Sequence, residues 1–158
     1  MQSWDTAGKD GPQNSWSVCT TWILLGEDFY LIDLVRGRYL FHELQETALA
    51  QARKHRPQWV HIEDASTGTA LADMLKRSYF DGLVKLVPVE RDKIGRLFVH
   101  QAKFANAHVL FPRNAPYLPQ LETELLTFPQ GKTDDIVDSI SQALSFDPLS
   151  FDSTYAWV

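Results

Sequence analysis

The chain has 158 residues, of which 44% are hydrophobic and 12% aromatic, so it is long and apolar enough for one folded domain and is not a disordered protein. Its apolar runs are too short for a transmembrane helix, and its single cysteine, Cys19, excludes an internal disulfide framework and a thiolate zinc cluster. The formal net charge of −5 argues mildly against a nucleic-acid binder, although an acidic metal site can coexist with a local basic face.

The hydrophobic pattern changes its period along the chain and predicts alternating strands and helices. β-Branched and aromatic residues on both sides of Gly26-Glu27-Asp28 are typical of a β-hairpin. A hairpin followed by strand–helix alternation implies an α/β fold, in which helices cover both faces of a mixed β-sheet. The predicted elements are, in order, strands over residues 2–7, 16–25 and 29–35, a helix over 40–55, a strand over 58–63, a helix over 67–77, a strand over 83–89, a helix over 92–104, a strand over 109–111, and helices over 116–126 and 134–144.

The connecting and terminal segments carry weaker signals. Residues 9–15 contain glycine, proline and asparagine and predict a polar turn. We expect one domain over residues 1–146 and a loosely ordered tail over residues 147–158, which contain a proline and several serines. Residues 1–10 show no basic segment followed by an apolar stretch, so no secretory signal is predicted and a reducing, cytoplasmic setting is expected.

Three aspartates fall within five residues at the start of the last predicted helix. On a helix, Asp134 and Asp138 lie one turn apart, with Asp135 beside them. Carboxylates this close repel each other unless a cation or hydrogen-bond donors hold them together. The alternative is structural: acidic residues in a first turn complement the helix dipole, and Thr133 serves as the N-cap.

Two further carboxylates, Asp5 and Glu63, fall at the ends of predicted strands. The active crevice of an α/β sheet lies just past the carboxyl ends of its strands. If the helix that starts at Asp134 abuts that edge, three or four carboxylates meet there, a ligand set that suits Mg²⁺ or Mn²⁺. Taken alone, Asp5 is better explained as a turn-capping residue and Glu63 as a solvent contact at a strand end, so a metal site has to be argued from the two together.

Several segments in a fixed order resemble the C-terminal nuclease domain of a bacteriophage or prophage terminase large subunit, over roughly residues 2–144. The segments that carry the resemblance are Trp4-Asp5-Thr6-Ala7-Gly8-Lys9, Tyr30-Leu31-Ile32-Asp33 with Arg36, His61-Ile62-Glu63-Asp64-Ala65, Asp92-Lys93-Ile94-Gly95-Arg96, Val109-Leu110-Phe111-Pro112, Glu124-Leu125, Phe128-Pro129 and Asp134-Asp135-Ile136-Val137-Asp138.

One departure from that family concerns its motor. Full terminase large subunits begin with an ATPase domain, and this chain has no complete Gly-x-x-x-x-Gly-Lys-Ser/Thr loop. Gly131-Lys132-Thr133 imitates the end of such a loop, but Leu126 occupies the position of its first glycine. We therefore expect the nuclease half alone.

The resemblance implies a ribonuclease H-like fold and a metal-dependent endonuclease that cuts concatemeric double-stranded DNA by two-metal hydrolysis. It implies Asp5 as the central ligand of two Mg²⁺ or Mn²⁺ ions and Glu63 as the ligand from the second strand. Asp135, together with Asp134, would be the carboxylate from the helix. Asp138 also matches the motif, but on an ideal helix it points farthest from the apolar stripe and is therefore ranked lower as a metal ligand.

Basic residues and partners follow from the same resemblance. Lys93, Arg96 and Lys103 lie near one face of the helix predicted over residues 92–104 and are candidates for DNA phosphate contacts; the alternative is a solvated helix face. The implied partners are double-stranded DNA, the ATPase domain of the same subunit, the small terminase subunit and the portal protein, in the cytoplasm of an infected bacterial host, with no membrane.

Two other functions remain compatible with the sequence. One is another ribonuclease H-like nuclease, such as a junction resolvase or a ribonuclease that acts on RNA–DNA hybrids, because a fold alone does not determine the substrate. The other is a docking module that binds DNA or a portal protein without cutting. Relative cleavage of linear duplex, hybrid and four-way junction distinguishes the first alternative. The second predicts that DNA is retained without turnover and that the carboxylates do not bind divalent ions.

Overall fold

A computed structural model describes residues 1–7, 16–78, 80–89 and 92–147. The predicted polar turn and all but the first residue of the predicted tail lie outside the described residues. The elements are β1 (Gln2–Asp5), β2 (Ser17–Leu25), β3 (Asp28–Gly37), α1 (Phe41–His55), β4 (Trp59–Glu63), α2 (Ser66–Arg77), β5 (Leu83–Val87), α3 (Lys93–Phe98), α4 (Gln101–Ala105), β6 (Val109–Leu110), α5 (Leu118–Thr127) and α6 (Asp135–Leu144).

Six strands form one mixed sheet in the order β5-β4-β1-β2-β3-β6. β2 pairs antiparallel with both β1 and β3, whereas the remaining neighbours pair in parallel. Gly26 and Glu27 connect β2 to β3, and Gly26 adopts a φ of 61°, a conformation that glycine allows at no steric cost. The predicted hairpin and the mixed α/β sheet are confirmed.

Helices cover both faces of this sheet, because alternate side chains of each strand point to opposite sides. On one face, Trp4 and Ile62 pack among α1 and α2. On the other face, Trp22 and Leu31 pack against α5 and α6. Within the part of the chain that the structure describes, no helix has the length and apolar character needed to span a membrane.

One predicted helix is interrupted in the structure. The segment expected as a single helix over residues 92–104 forms the two short helices α3 and α4, separated by a turn at Val99 and His100. The turn lets the imidazole of His100 become buried, with its Nε2 atom 2.9 Å from the hydroxyl of Ser145. The other predicted elements are present, with ends that differ by two residues or fewer.

A buried polar network joins α6 to the centre of the sheet. The hydroxyl of Ser3 donates to the carbonyl of Ser139 at 2.8 Å, and the hydroxyl of Ser139 donates back to the carbonyl of Ser3 at 2.9 Å. Thr20 contacts the Ser139 hydroxyl at 2.8 Å, and Gln142 donates to the Ser3 hydroxyl at 2.9 Å. Since these groups are all buried, their hydrogen bonds fix how α6 lies across β1.

We expect Ser139→Ala to destabilise the protein by about 1–3 kcal/mol, because it leaves the Ser3 carbonyl and the Thr20 hydroxyl with one hydrogen bond fewer in a dry environment. The free energy of unfolding from urea denaturation measures the effect. Ser66→Ala, at an exposed position in α2, is the matched control and should change stability by less than about 0.5 kcal/mol. Equal effects of the two substitutions would contradict the importance of the network.

Candidate active site

Asp5 and Glu63 lie on neighbouring strands at the same edge of the sheet. β1 and β4 pair in parallel with Trp4 opposite Ile62, and one step further along the two strands are Asp5 and Glu63. Parallel neighbours are about 4.8 Å apart, and consecutive side chains alternate between faces. Both carboxylates therefore lie on the face opposite Trp4 and Ile62, which is the face that α6 covers.

Close packing of α2 against the end of β4 holds this edge in place. The amide of Ala65 donates to the carbonyl oxygen of Glu63 at 2.8 Å. Gly68, in the first turn of α2, is buried, and a Cβ atom there would overlap the same carbonyl oxygen and lie 3.1 Å from the hydroxyl of Thr6. Because Thr6 directly follows Asp5, α2 contacts the ends of both strands.

Two carboxylates of α6 act on Asp5 together with Glu63. Burial raises the pKa of Asp5 well above its usual value, and the negative charges of Glu63, Asp138 and Asp135 raise it further. Because water and salt screen distant charges, these three carboxylates lie near enough to Asp5 for their charges to act on it. Asp134 lies at the rim, with 41% of its side-chain surface exposed. We call these five carboxylates the acidic group.

Asp138 is buried and contacts two cationic side chains. Its carboxylate accepts a hydrogen bond from Arg96 at 2.6 Å and lies 2.5 Å from the Nζ atom of Lys93. Although Asp138 lies far from the apolar stripe on an ideal helix, it is buried, because α3 packs against α6. Both neighbouring cations come from α3, so this helix supplies the positive charge for the carboxylate.

Lys93 bridges two carboxylates of α6. Its Nζ atom is 2.9 Å from Asp134 and also contacts Asp138, one helical turn away. Burial by itself lowers the pKa of Lys93, but the bonds to Asp138 and Asp134 outweigh that effect and raise the pKa above its usual value. An ammonium group therefore already occupies part of the acidic group.

The start of α6 differs from the prediction that Thr133 is its N-cap. Asp134 is the N-cap residue and its side chain makes no capping hydrogen bond, since it contacts Lys93 instead. The hydroxyl of Thr133 donates to Glu124 of α5 at 2.8 Å. Glu124 also accepts a hydrogen bond from the amide of Ile136 at 3.0 Å. A carboxylate of α5 therefore replaces the N-cap side chain of α6.

Sequence reasoning gave no role to Arg36 and Glu124, two buried residues beside the acidic group. An Arg36 guanidinium nitrogen lies 3.0 Å from Glu124 and another lies 3.4 Å from Asp135. Burial raises the pKa of Asp135, while Arg36 lowers it and Glu124 raises it. The available signal was that Glu124 follows Leu121 at helical spacing and so falls on the apolar side of α5.

The three residues predicted to contact DNA do not share a face. Lys93 is partly exposed at the acidic group, and Arg96 is buried against Asp138. The ammonium of Lys103 lies 4.9 Å from the ring centroid of Phe29, at the opposite edge of the sheet. For all three, a contact with DNA stays a prediction.

Two other side chains next to Glu63 have structural surroundings. His61 is buried, its ring centroid is 5.2 Å from that of Phe146, and burial lowers its pKa to about 4. Asp64 is exposed and accepts a hydrogen bond from the hydroxyl of Thr69 at 2.9 Å.

The charges in this region do not balance. Among the described residues, six carboxyl groups meet three cationic side chains, a formal excess of three negative charges when all six are ionised; they are Asp5, Glu63, Glu124, Asp134, Asp135 and Asp138 against Arg36, Lys93 and Arg96. Carboxylate oxygens without histidine or cysteine are the donors that hard divalent cations prefer. The donor chemistry therefore fits Mg²⁺ or Mn²⁺.

The arrangement is nevertheless not a closed metal site. Within residues 1–7, 16–78, 80–89 and 92–147, no group of three or more His, Cys, Asp or Glu side chains is arranged to hold an ion. In this conformation, Lys93 and the two arginines engage the carboxylates of α6. A divalent cation would have to compete with those contacts.

Comparisons with known proteins agree with the fold. The sequence model of the family described as Terminase RNaseH-like domain matches residues 2–146. The large terminase nuclease from thermophilic phage G20c with bound zinc is 20% identical, with a TM-score of 0.68 over 91% of this chain and 78% of that chain. Its form with bound magnesium is 17% identical, with a TM-score of 0.68 over 91% and 79%. The human cytomegalovirus terminase nuclease domain, soaked in manganese, is 11% identical, with a TM-score of 0.62 over 95% and 84%. No curated protein matches the chain.

We expect Asp5→Asn to stabilise the protein when EDTA removes divalent cations. Because the pKa of Asp5 in the folded state is raised above its usual 3.8, the folded protein retains the proton to higher pH than the unfolded chain. The contribution of this group to stability is therefore greatest at low pH and declines as the pH rises through the interval above 3.8. The melting temperature of the variant should exceed that of the wild type by several degrees at about pH 8 and by less at about pH 4.5.

Asp64→Asn is the matched control for this measurement, since it removes the same charge from an exposed position. Its melting temperature should follow that of the wild type at both pH values. An Asp5→Asn variant that is no more stable than the wild type at about pH 8 would contradict the electrostatic strain at Asp5.

Proposed function

The chain belongs to the Terminase RNaseH-like domain family, and on this premise we propose that it is a metal-dependent endonuclease that cuts concatemeric double-stranded DNA during viral genome packaging. The observation that carries the proposal is the surplus of negative charge around Asp5, which is partly buried near Glu63 and the carboxylates of α6. Such a surplus destabilises the protein on its own, and divalent cations would compensate it.

Asp5 is the central metal ligand in this proposal, and Glu63 is the ligand from the neighbouring strand. Asp135 is the ligand from α6, because its link to Arg36 is long, at 3.4 Å. Asp138 also acts on the pKa of Asp5, but it is bonded to Arg96 and Lys93, and Asp134 lies at the exposed rim. Both would become metal ligands only after they release Lys93. The expected ions are two Mg²⁺ or Mn²⁺.

The residues of this chain orient the reaction in three ways. The parallel pairing of β1 and β4 places Asp5 and Glu63 on neighbouring strands. The buried hydrogen bonds between Ser3 and Ser139 hold α6 against β1. Asp5 is partly buried, so water screens its carboxylate less than at the surface and its attraction for a cation is stronger. The chemistry that two divalent ions supply when bound is activation of a water molecule for in-line attack on phosphorus and neutralisation of charge on the leaving 3′ oxygen.

Substrate and partners are proposals from the same premise. Lys93 is the proposed DNA contact at the acidic group, because its side chain is partly exposed there. Arg96 and Lys103 would have to leave Asp138 and Phe29, respectively, to contact DNA at the same place. The ATPase domain of the same subunit, the small terminase subunit and the portal protein are the expected partners, in the cytoplasm of the bacterial host. Family membership supports this reading over a junction resolvase or a hybrid ribonuclease.

The direct test is conversion of supercoiled plasmid to nicked and linear forms in the presence of Mn²⁺ or Mg²⁺. We expect Asp5→Asn to reduce the cleavage rate to less than about one hundredth of that of the wild type, because even residues that only support metal ligands cost 10–100-fold. Asp64→Asn is the matched control and should retain the wild-type rate, since its side chain is exposed and contacts Thr69. Cleavage that survives Asp5→Asn in a clean preparation would remove Asp5 from the mechanism.

The same assay separates the alternatives. Preference for an RNA–DNA hybrid or a four-way junction over linear duplex would indicate a different nuclease of this fold. Retention of DNA without turnover, together with calorimetric titrations in which the wild type and Asp135→Asn bind Mn²⁺ equally poorly, would indicate a docking module.

We expect Lys93→Met to bind Mn²⁺ a few-fold more tightly than the wild type. The ammonium of Lys93 competes for Asp134 and Asp138, and its removal leaves their oxygens available to a cation. The effect is limited because Lys93 is partly exposed and its ion pairs are screened by water. Isothermal titration calorimetry measures the affinity, and Lys132→Met, at an exposed lysine in the loop before α6, is the control. Weaker binding by Lys93→Met would show that the lysine supports the cation rather than competing with it.

A further inference from the structure

Glu124 is a buried carboxylate that reaches from α5 to the start of α6. Its Oε2 atom accepts a hydrogen bond from the amide of Ile136 at 3.0 Å, and its Oε1 atom accepts one from the hydroxyl of Thr133 at 2.8 Å. The first amides of a helix have no partner within the helix. Glu124 therefore holds the turn that carries Asp134 and Asp135.

Arg36 is the counter-ion that compensates the buried negative charge of Glu124. It extends from the end of β3, its side chain is only 6% exposed, and its Nη1 atom lies 3.0 Å from Glu124. The guanidinium also lies 4.2 Å from the ring centroid of Trp16, which covers it. A buried charge that loses its only strong partner is costly, so Arg36 and Glu124 are energetically dependent on each other.

The same guanidinium lies between two carboxylates at unequal distances. It is 3.0 Å from Glu124 but 3.4 Å from Asp135. Arg36 is therefore paired more closely with Glu124 than with Asp135. The carboxylate of Asp135 is therefore only partly neutralised, and it lies near enough to Asp5 to act on its pKa. An oxygen ligand for a divalent cation needs such a charge.

We propose that Glu124 and Arg36 act as a pair of positioning residues: they clamp the first turn of α6 and, by satisfying each other, leave Asp135 available to a divalent cation. The second half of this inference rests on the proposed metal-dependent function, whereas the first half does not. Neither residue touches the substrate. Their effect on the reaction passes through Asp135.

The clamp is tested without metal by amide hydrogen exchange in EDTA. In Glu124→Ala, the amides of residues 135–137 should exchange at least about tenfold faster, because a hydrogen bond to a charged acceptor is lost. Amides at the centre of α2 should keep their wild-type rates. Glu122→Ala, at an exposed position of the same helix, is the matched control and should change none of these rates. If Glu124→Ala does not fold, Glu124→Gln carries the measurement, since it keeps the size of the side chain and removes its charge.

The effect on Asp135 is tested by titration with Mn²⁺. In Glu124→Gln, Arg36 loses its stronger partner and turns its charge to Asp135, so the affinity for Mn²⁺ should fall about tenfold while the melting temperature in EDTA changes by only a few degrees. The double variant Glu124→Gln/Arg36→Gln removes both charges and should return the affinity to within about threefold of the wild type. Glu122→Gln should bind like the wild type.

Each result decides one part of the inference. Equal Mn²⁺ affinity in the wild type and in folded Glu124→Gln, or no recovery in the double variant, would overturn the charge coupling to Asp135. Unchanged exchange at residues 135–137 in Glu124→Ala would overturn the clamp. A wild type that neither binds Mn²⁺ nor cuts DNA would instead overturn the proposed function, and the exchange measurement would still decide the clamp.

Discussion

The docking of α6 on β1 is the contact on which the rest of the site depends. Ser3 and Ser139 exchange two hydrogen bonds, and Gln142 donates to the Ser3 hydroxyl. Because side chains alternate along a strand, the residue two positions after Ser3 points to the same side. That residue is Asp5. The bonds that seat the helix therefore also determine that its aspartates lie above the strand aspartate rather than on the other side of the sheet.

Charge is distributed unevenly around this contact. α3 supplies Lys93 and Arg96 to one side of α6, and β3 supplies Arg36 to the other. Between them, Asp5 is partly buried near other carboxylates and has no cation at hydrogen-bond distance among the described residues. A fold selected only for stability would avoid such an arrangement, since each buried charge needs a partner. The divalent cations of the proposed function would supply the missing partners.

Much of this could be predicted from the sequence, and the limits have physical causes. The period of the hydrophobic pattern determines strands and helices, and the position of Asp5 and Glu63 at strand ends follows from the pattern alone. The burial of Asp138 could not be predicted, because an ideal helix considered alone has no α3 beside it. The pairing of Arg36 with Glu124 joins elements that are distant in the sequence, and no local pattern determines it.

The glycine in the first turn of α2 carries a different kind of constraint. Gly68 has no functional group, yet the carbonyl oxygen of Glu63 occupies the space that any β-carbon would need, and the Thr6 hydroxyl lies close by. Saturation mutagenesis of the chain would therefore find position 68 as intolerant as the carboxylates themselves. Such a result would reflect the spacing of two backbones and not participation in chemistry, so an alignment in which this glycine is invariant should not be read as evidence for a sixth residue of the acidic group.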